Sequence, residues 1–321
     1  MSDTQPVPSR DPAARWRHRW AAATLASTLL LIFAGGLVTS TDSALAVPDW
    51  PLSYGMLMPP MVGGVFYEHG HRMIASFVGL LTLILAAWMA WQEPRPEIRR
   101  LGWIALGAVC LQGLLGGLTV LFYTPLPISV AHACLAQTFL CIMVALTYAT
   151  SREWGEAAAS ADDVAGVRAA AAVTTAGVFA QLVIGAIMRH AEAGLAIPDF
   201  PLAFGRIVPS FQTPEIAIHF AHRLGAIVVM VLVARLAVRA GRSRDPRFRR
   251  PARLLVLLTV LQVSLGAAAV LSGMAVYPTT THVAVGAALL ATSFFLALRA
   301  RRVLRRLSVA PVASGAPALA S

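Results

Sequence analysis

Lysine is absent from this 321-residue chain, and charge of either sign is scarce. Charged residues make up 13% of the sequence, about half the share of a soluble domain. So few charges cannot cover the surface of a soluble globular enzyme. The three cysteines are too few for a disulfide scaffold, and 57% hydrophobic residues exclude a disordered chain. The composition therefore indicates a polytopic membrane protein.

Apolar stretches long enough to cross a bilayer occur eight times, since a span needs about 20 residues. They lie at residues 20–38, 68–91, 101–121, 128–149, 169–189, 215–237, 253–273 and 279–298. The predicted fold class is an all-α membrane protein with eight transmembrane helices. Cys110, Cys134 and Cys141 all fall within the third and fourth spans, so no disulfide is expected outside the membrane.

The distribution of the 26 basic residues, all arginine, predicts the orientation. Twenty-two lie in the N-terminal tail, after the second, fourth and sixth spans, and at the C-terminus. The other side has four: Arg72, Arg189, Arg206 and Arg223. The positive-inside rule places both termini in the cytoplasm and the long loops 39–67 and 190–214 outside. The high pI thus reflects orientation among membrane lipids, and no nucleic acid partner is expected.

The chain contains an internal duplication. LAVPDWPLSYG at 45–55 matches LAIPDFPLAFG at 195–205 at seven of eleven positions, and QGLLGGLTVL at 112–121 matches QVSLGAAAVL at 262–271. Each half has four spans, an even number, so both halves insert with the same orientation. The duplication predicts two pseudo-symmetric four-helix bundles related by an axis along the membrane normal.

These patterns divide the chain into five segments. We expect a cytoplasmic N-terminal tail at 1–19, an N-terminal bundle at 20–150, a cytoplasmic linker at 151–168, a C-terminal bundle at 169–300 and a disordered cytoplasmic tail at 301–321.

Histidines at duplicated positions are the strongest functional signal. His71 and His132 open the second and fourth spans, and His222 and His282 open the sixth and eighth. An isolated histidine at a helix start often only caps or anchors the helix. Two pairs at matching depth instead suit a planar metal macrocycle with two axial positions in each bundle. Two histidines per half are too few for a bare zinc site. His18 and His190 are expected to be solvated.

Charged neighbours accompany the histidines. Arg72 and Arg223 directly follow His71 and His222, and they are interpreted either as carboxylate-binding groups or as interfacial arginines. Glu68 lies three residues before His71 on the same helix face, where the second half has His219. Glu68 is interpreted as a proton-handling group, with a plain ion pair to Arg72 as the alternative. His69 is expected to be a bystander, and the Pro-Asp loops are expected to be mainly structural.

The combination of EHGHR at 68–72, the repeated Pro-Asp-aromatic-Pro loops, AHR at 221–223 and the lone histidines of spans four and eight resembles the haem A synthase family. The resemblance covers roughly residues 20–300. It implies a membrane oxidoreductase that oxidises a ring methyl group of haem O to the formyl group of haem A, for cytochrome c oxidase. Some members carry two cysteines in the first outer loop, and this sequence has none there.

The resemblance also implies roles for residues. His71 and His132 would flank the substrate haem O, Glu68 would be the catalytic acid, and His222 and His282 would ligate a haem b. Arg72 and Arg223 would bind haem propionates.

The resemblance further implies a bacterial cytoplasmic membrane location, with the haem sites near the outer face. Haem O synthase is the expected delivery partner. The electron donor is unidentified, and homo-oligomerisation is left open.

Two other functions share some of these features. A di-haem b electron-transfer protein would use the same histidines but would not need Glu68 or a difference between halves. A haem or small-molecule transporter also has parallel repeats, but it would carry helix interruptions at mid-membrane. The unusual residues here cluster at the outer helix ends instead.

Overall fold

The computed structural model describes residues 12–155, 161–243 and 245–309. Within these ranges, eight helices are long and apolar enough to cross a membrane, which confirms the predicted fold class. They are α1 (Pro12–Ser40), α2 (Gly64–Gln92), α3 (Pro96–Leu121), α4 (Leu126–Thr150), α5 (Ala161–His190), α6 (Pro214–Arg242), α7 (Pro246–Leu271) and α8 (Val276–Val309).

Several helices extend beyond the predicted apolar stretches. Apolarity marks only the part of a helix that lies in lipid, whereas arginine and alanine continue a helix into water. Residues 12–19 of the predicted tail therefore belong to α1, and residues 161–168 of the predicted linker belong to α5. The predicted disordered tail at 301–321 is wrong as far as Val309, because α8 continues to that residue. Residues 1–11, 156–160, 244 and 310–321 lie outside the described part of the chain.

The helix starts follow local chemistry. Proline occupies the first turn of α3, α4, α6 and α7, where its missing N–H costs nothing. Thr213 and Asp245 also accept backbone N–H groups at the starts of α6 and α7. These signals fix the positions at which the chain re-enters the bundle.

The two halves have the same helix arrangement. In the first half α1 packs on α2, α2 on α3, α3 on α4, and α4 back on α1. In the second half α5, α6, α7 and α8 repeat that closed ring. The halves meet through α1, α4, α5 and α8.

Each ring has its own apolar core. Val78, Leu85 and Met143 belong to the core of the first half, and Leu236, Leu255 and Leu290 to that of the second. Between the halves lies a smaller cluster of Ile32, Leu140 and Ala287, which joins α1, α4 and α8. Each bundle therefore has an apolar core of its own.

The long loops define the two ends of the molecule. Segments 41–63 and 191–213 follow α1 and α5 and lie at what we call the loop end. The opposite end, which we call the arginine-rich end, carries the start of α1 and the junctions after α2, α4 and α6. The four candidate histidines lie near the helix starts at the loop end.

Candidate functional site

Each of the four candidate histidines packs against a glycine of the preceding helix. His71 lies over Gly35, His132 over Gly116, His222 over Gly185 and His282 over Gly266. A Cβ atom added to any of these glycines would lie 3.0–3.2 Å from the imidazole Cε1. A side chain at these positions would push the ring away. The glycines therefore hold all four imidazoles close to a neighbouring backbone inside the bundles.

The second-half pair has the spacing of two axial ligands. The ring centroids of His222 and His282 lie 6.3 Å apart, with an interplanar angle of 63°. Metal–imidazole bonds of roughly 2 Å on either side of an ion put two ring centroids roughly 6 Å apart. His282 Nδ1 also lies 3.0 Å from the Gln262 carbonyl oxygen, which can accept its proton and leave Nε2 unprotonated, with the Gln262 amide nitrogen 3.2 Å from Nε2. These residues fit a bis-histidine haem.

The rings of the first-half pair make fewer hydrogen bonds than those of the second-half pair. His71 and His132 lie within electrostatic range of each other. Their Nδ1 atoms are buried and have no hydrogen-bond partner among the described residues. The Gln112 amide nitrogen lies 3.3 Å from His132 Nε2 and donates to the His132 carbonyl at 3.0 Å. Buried unpaired ring nitrogens are costly without a partner, so this pair also fits a metal-centred ligand.

Gln181 marks a difference between the halves that sequence reasoning missed. Its side-chain nitrogen lies 3.0 Å from His222 Nδ1 and 2.7 Å from the His222 carbonyl oxygen. The side chain occupies space left by Gly225, where a Cβ would overlap it. At the matching places in the first half the sequence has Leu31 and Ile74. Of the matching histidines of α2 and α6, His222 therefore has a glutamine of the preceding helix beside its ring and His71 has a leucine at that place; the signal was the glutamine-to-leucine difference between the repeats.

Glu68 is buried and ion-paired. Its Oε1 accepts from Arg72 Nη2 at 2.6 Å, and its Oε2 accepts the backbone N–H of Val47 at 2.8 Å. Arg72 also donates to the carbonyl oxygens of Val47, Asp49 and Leu52 at 2.8–3.3 Å. Four acceptors thus occupy the four terminal N–H groups of Arg72, and only its Nε–H remains for another ligand. In this geometry Glu68 and Arg72 join α2 to the loop.

The second half reproduces this attachment with different chemistry. His219 Nδ1 accepts the backbone N–H of Ile197 at 3.2 Å, in the place of Glu68. Arg223 donates to the carbonyl oxygens of Ile197, Asp199 and Leu202 at 2.7–3.0 Å. Among the described residues Arg223 has no carboxylate partner corresponding to Glu68. The carboxyl group is thus specific to the first half.

The two Pro-Asp loops have the same turn. Asp49 accepts the backbone N–H groups of Tyr54 and Gly55 at 2.7 and 2.8 Å. Asp199 accepts those of Phe204 and Gly205 at 2.8 and 2.9 Å. The backbone N–H groups, that of the glycine first, hold the pKa of each aspartate below its ordinary value. Both carboxylates stay ionised at neutral pH and act as structural parts of the loops.

The remaining histidines have ordinary roles. His69 Nδ1 lies 2.8 Å from Ser53 Oγ, so it contacts the loop rather than the His71 side of the helix. His18 and His190 are not fully solvated, contrary to expectation. His18 belongs to α1 and contacts the Thr147 carbonyl oxygen at 3.2 Å, and His190 is the partly buried last residue of α5.

Arg189 connects the two halves at the loop end. Its Nη2 donates to the Thr39 carbonyl oxygen at the end of α1, at 2.7 Å. Thr39 is the residue that takes the corresponding place in the first repeat. Here too the arginine bonds backbone, and the bond joins one bundle to the other.

The fold and the histidine pairs define a class: helical membrane proteins with a pair of histidines inside each of two repeated bundles. Comparison with known proteins identifies the family within this class. Residues 62–294 match the family described as cytochrome oxidase assembly protein. The Heme A synthase of Symbiobacterium thermophilum is 35% identical over 262 residues, covering 77% of this chain and 84% of that protein.

More distant relatives agree. The Heme A synthase of Alkalihalophilus pseudofirmus is 28% identical, with 83% of this chain and 89% of that protein covered. That of Sphingopyxis alaskensis is 26% identical, with 88% and 90% covered. The chain belongs to the haem A synthase family of cytochrome oxidase assembly proteins.

Proposed function

We propose that this membrane oxidoreductase converts haem O into haem A in its first bundle and holds a haem b in its second. Relatives named Heme A synthase cover most of the chain and support the synthase over a di-haem electron-transfer protein or a transporter. The single observation that assigns the chemistry to the first half is the buried Glu68 carboxylate, since the second half has His219 at that place.

In the first bundle, His71 and His132 would hold the substrate haem O. Their unpaired buried Nδ1 atoms support that assignment. Glu68 lies one helical turn from His71 on the same face of α2. Its carboxylate can hold or accept a proton close to the reacting methyl group. Arg72 and the Val47 N–H keep that carboxylate in one orientation.

In the second bundle, His222 and His282 would ligate haem b, which supplies one-electron redox chemistry when bound. The 6.3 Å separation of the two imidazole centroids supports this role. Gln181 and the Gln262 carbonyl oxygen hold the imidazoles in place. Because Arg72 and Arg223 bind loop carbonyls, they would support the haem sites by fixing the loops, and any propionate contact would use their remaining N–H groups.

The orientation follows the charge distribution. The arginine-rich end would face the cytoplasm, with both termini there, and the loop end with both haem sites would face outward. The bacterial relatives support a location in the cytoplasmic membrane. Haem O is hydrophobic and would enter from the membrane, delivered by haem O synthase.

The test is replacement of Glu68 followed by extraction and chromatography of the haems. Glu68→Gln keeps the side-chain shape and an oxygen that can accept the Val47 N–H, but removes the basic carboxylate. We expect haem A formation to fall by about 100-fold or more, the usual cost of losing a general acid–base group. Haem b content should stay normal, and haem O should accumulate.

Two further variants sharpen the result. Glu68→His copies the second half, where His219 accepts the loop N–H, so it should fold normally yet make no haem A. His69→Gln is the matched control, because the side chain of this neighbouring residue hydrogen-bonds to Ser53 in the loop. Full haem A production by Glu68→Gln would remove Glu68 from the reaction. Purified protein without any haem would overturn the proposed function itself.

A further inference from the structure

A pocket lies at the arginine-rich end of the molecule, far from the four candidate histidines His71, His132, His222 and His282. It has a volume of about 870 Å³, is open to the surface, and is lined by α1, α4, α7 and α8, so it lies between the two bundles. Arg15 on its rim is twenty residues before Gly35 on α1, a separation of about 30 Å along a helix. The pocket is therefore distinct from both candidate haem sites.

The rim of this pocket is strongly basic. Arg15, Arg19, Arg152 and Arg250 line it and are exposed. Within the described residues none of the four has a carboxylate partner, and Arg19 contacts only the ring of Trp16, at 5.0 Å. The single acidic residue of the lining, Glu153, is already bonded to Arg299 at 2.6 Å. Four neighbouring cations thus lack a counter-charge among the described residues.

The inner wall of the pocket is apolar. Leu25 lies ten residues further along α1 than Arg15, which is about 15 Å deeper. Val144 and Leu254 occupy the inner parts of α4 and α7 in the same way, and Ala291 lines the wall from α8. Basic groups at the membrane surface therefore continue into an apolar groove within the membrane. This pattern matches a molecule with an anionic head and a hydrocarbon tail.

We propose that the pocket binds an anionic phospholipid of the adjacent leaflet. Its phosphate would take the charge-assisted hydrogen bonds that the four arginines offer, and one acyl chain would lie along the apolar wall between the bundles. Basic pockets between transmembrane helices are suited to such headgroups. A free phosphate would leave the apolar wall uncovered. The bound lipid fills the gap between the halves at the end opposite to the Arg189–Thr39 contact.

The test compares lipids on the full-length protein by native mass spectrometry. The probes are dioleoylphosphatidylglycerol, dioleoylphosphatidylcholine of equal chain length, and inorganic phosphate. We expect phosphatidylglycerol to be retained about tenfold better than phosphatidylcholine, given the gain per basic residue at an anionic surface. The double variant Arg15→Gln/Arg250→Gln removes one cation from each half and should abolish that preference.

The control variant removes the same number of positive charges at the same end of the molecule. Arg99 and Arg100 are exposed on α3 and do not line the pocket, so Arg99→Gln/Arg100→Gln should bind phosphatidylglycerol as the unmodified protein does. Equal retention of the two lipids, or an equal loss in the control, would overturn the proposal. Displacement of the lipid by millimolar inorganic phosphate would also overturn it, because it would show a simple anion site. None of these outcomes depends on haem chemistry.

Discussion

Gln181 offers the sharpest test of the difference between the two bundles. Its amide lies 3.0 Å from His222 Nδ1. The same nitrogen donates to the His222 carbonyl oxygen at 2.7 Å, so this amide fixes the position of the imidazole and of the α6 backbone beside it. We expect Gln181→Leu to lower the haem b affinity of the second bundle by about 10–100-fold, the usual effect of removing a hydrogen bond to a ligating histidine.

The expected loss of affinity exceeds the energy of the hydrogen bond alone. A tenfold to hundredfold loss is about 1.4–2.8 kcal/mol, and one neutral hydrogen bond contributes about 0.5–1.5 kcal/mol net. The excess would come from freedom of the imidazole to rotate. The assay is haem b released from purified protein to an excess of apomyoglobin, with the haem-to-protein ratio and absorption spectrum recorded first.

A second variant separates the effect of losing the hydrogen bond from the effect of losing side-chain packing. Gln181→Leu combined with Gly225→Ile installs the residues that the first half has as Leu31 and Ile74. This double variant restores an apolar filling that the fold already accommodates once, yet it does not restore the hydrogen bond. Both variants should therefore lose haem b to the same extent. Retention of haem b by Gln181→Leu within threefold of the unmodified protein would refute the reasoning, and rescue by Gly225→Ile would show that only packing matters.

Two further outcomes test the glycine contacts and the loop. Gly116→Val should lower the haem content of the first bundle, because its side chain meets the His132 ring at 3.2 Å, whereas Gly113→Val on the same helix faces open space and should change little. Arg72→Lys keeps the charge but cannot make the four bonds of a guanidinium, so amide hydrogen exchange should quicken across residues 45–56. If haem affinity fell while loop exchange stayed constant, Arg72 would bind the haem rather than hold the loop.

Much of the architecture could be predicted because it depends on composition and repetition. A segment that crosses lipid must satisfy its backbone hydrogen bonds internally, and an α-helix does so. Long apolar stretches therefore predict transmembrane helices. The duplication then predicted two bundles of the same orientation, and the closed helix rings agree. Helix ends were predicted less well: α1 and α8 continue through arginines, where hydropathy no longer marks the helix.

The sequence predicted only the most polar residues of the candidate site. Histidines and a glutamate within apolar segments stand out because burying them is costly. Gln181 and the glycines under the four imidazoles gave weaker signals, since glycine and glutamine also serve ordinary helix packing. Spacing along one helix could not show which residue of α5 faces a histidine of α6.

The sequence by itself determined the membrane class, the two-bundle repeat and the four histidines, because each follows from local hydropathy or from comparing the chain with itself. Only the tertiary structure decided how the charged groups are used. Arg72 and Arg223 bind the carbonyl oxygens of loops about twenty residues away. The Glu68 carboxylate accepts one hydrogen bond from Arg72 and one from the Val47 N–H. Such partners depend on how a loop folds back over a helix, a geometry that no periodicity in the chain specifies.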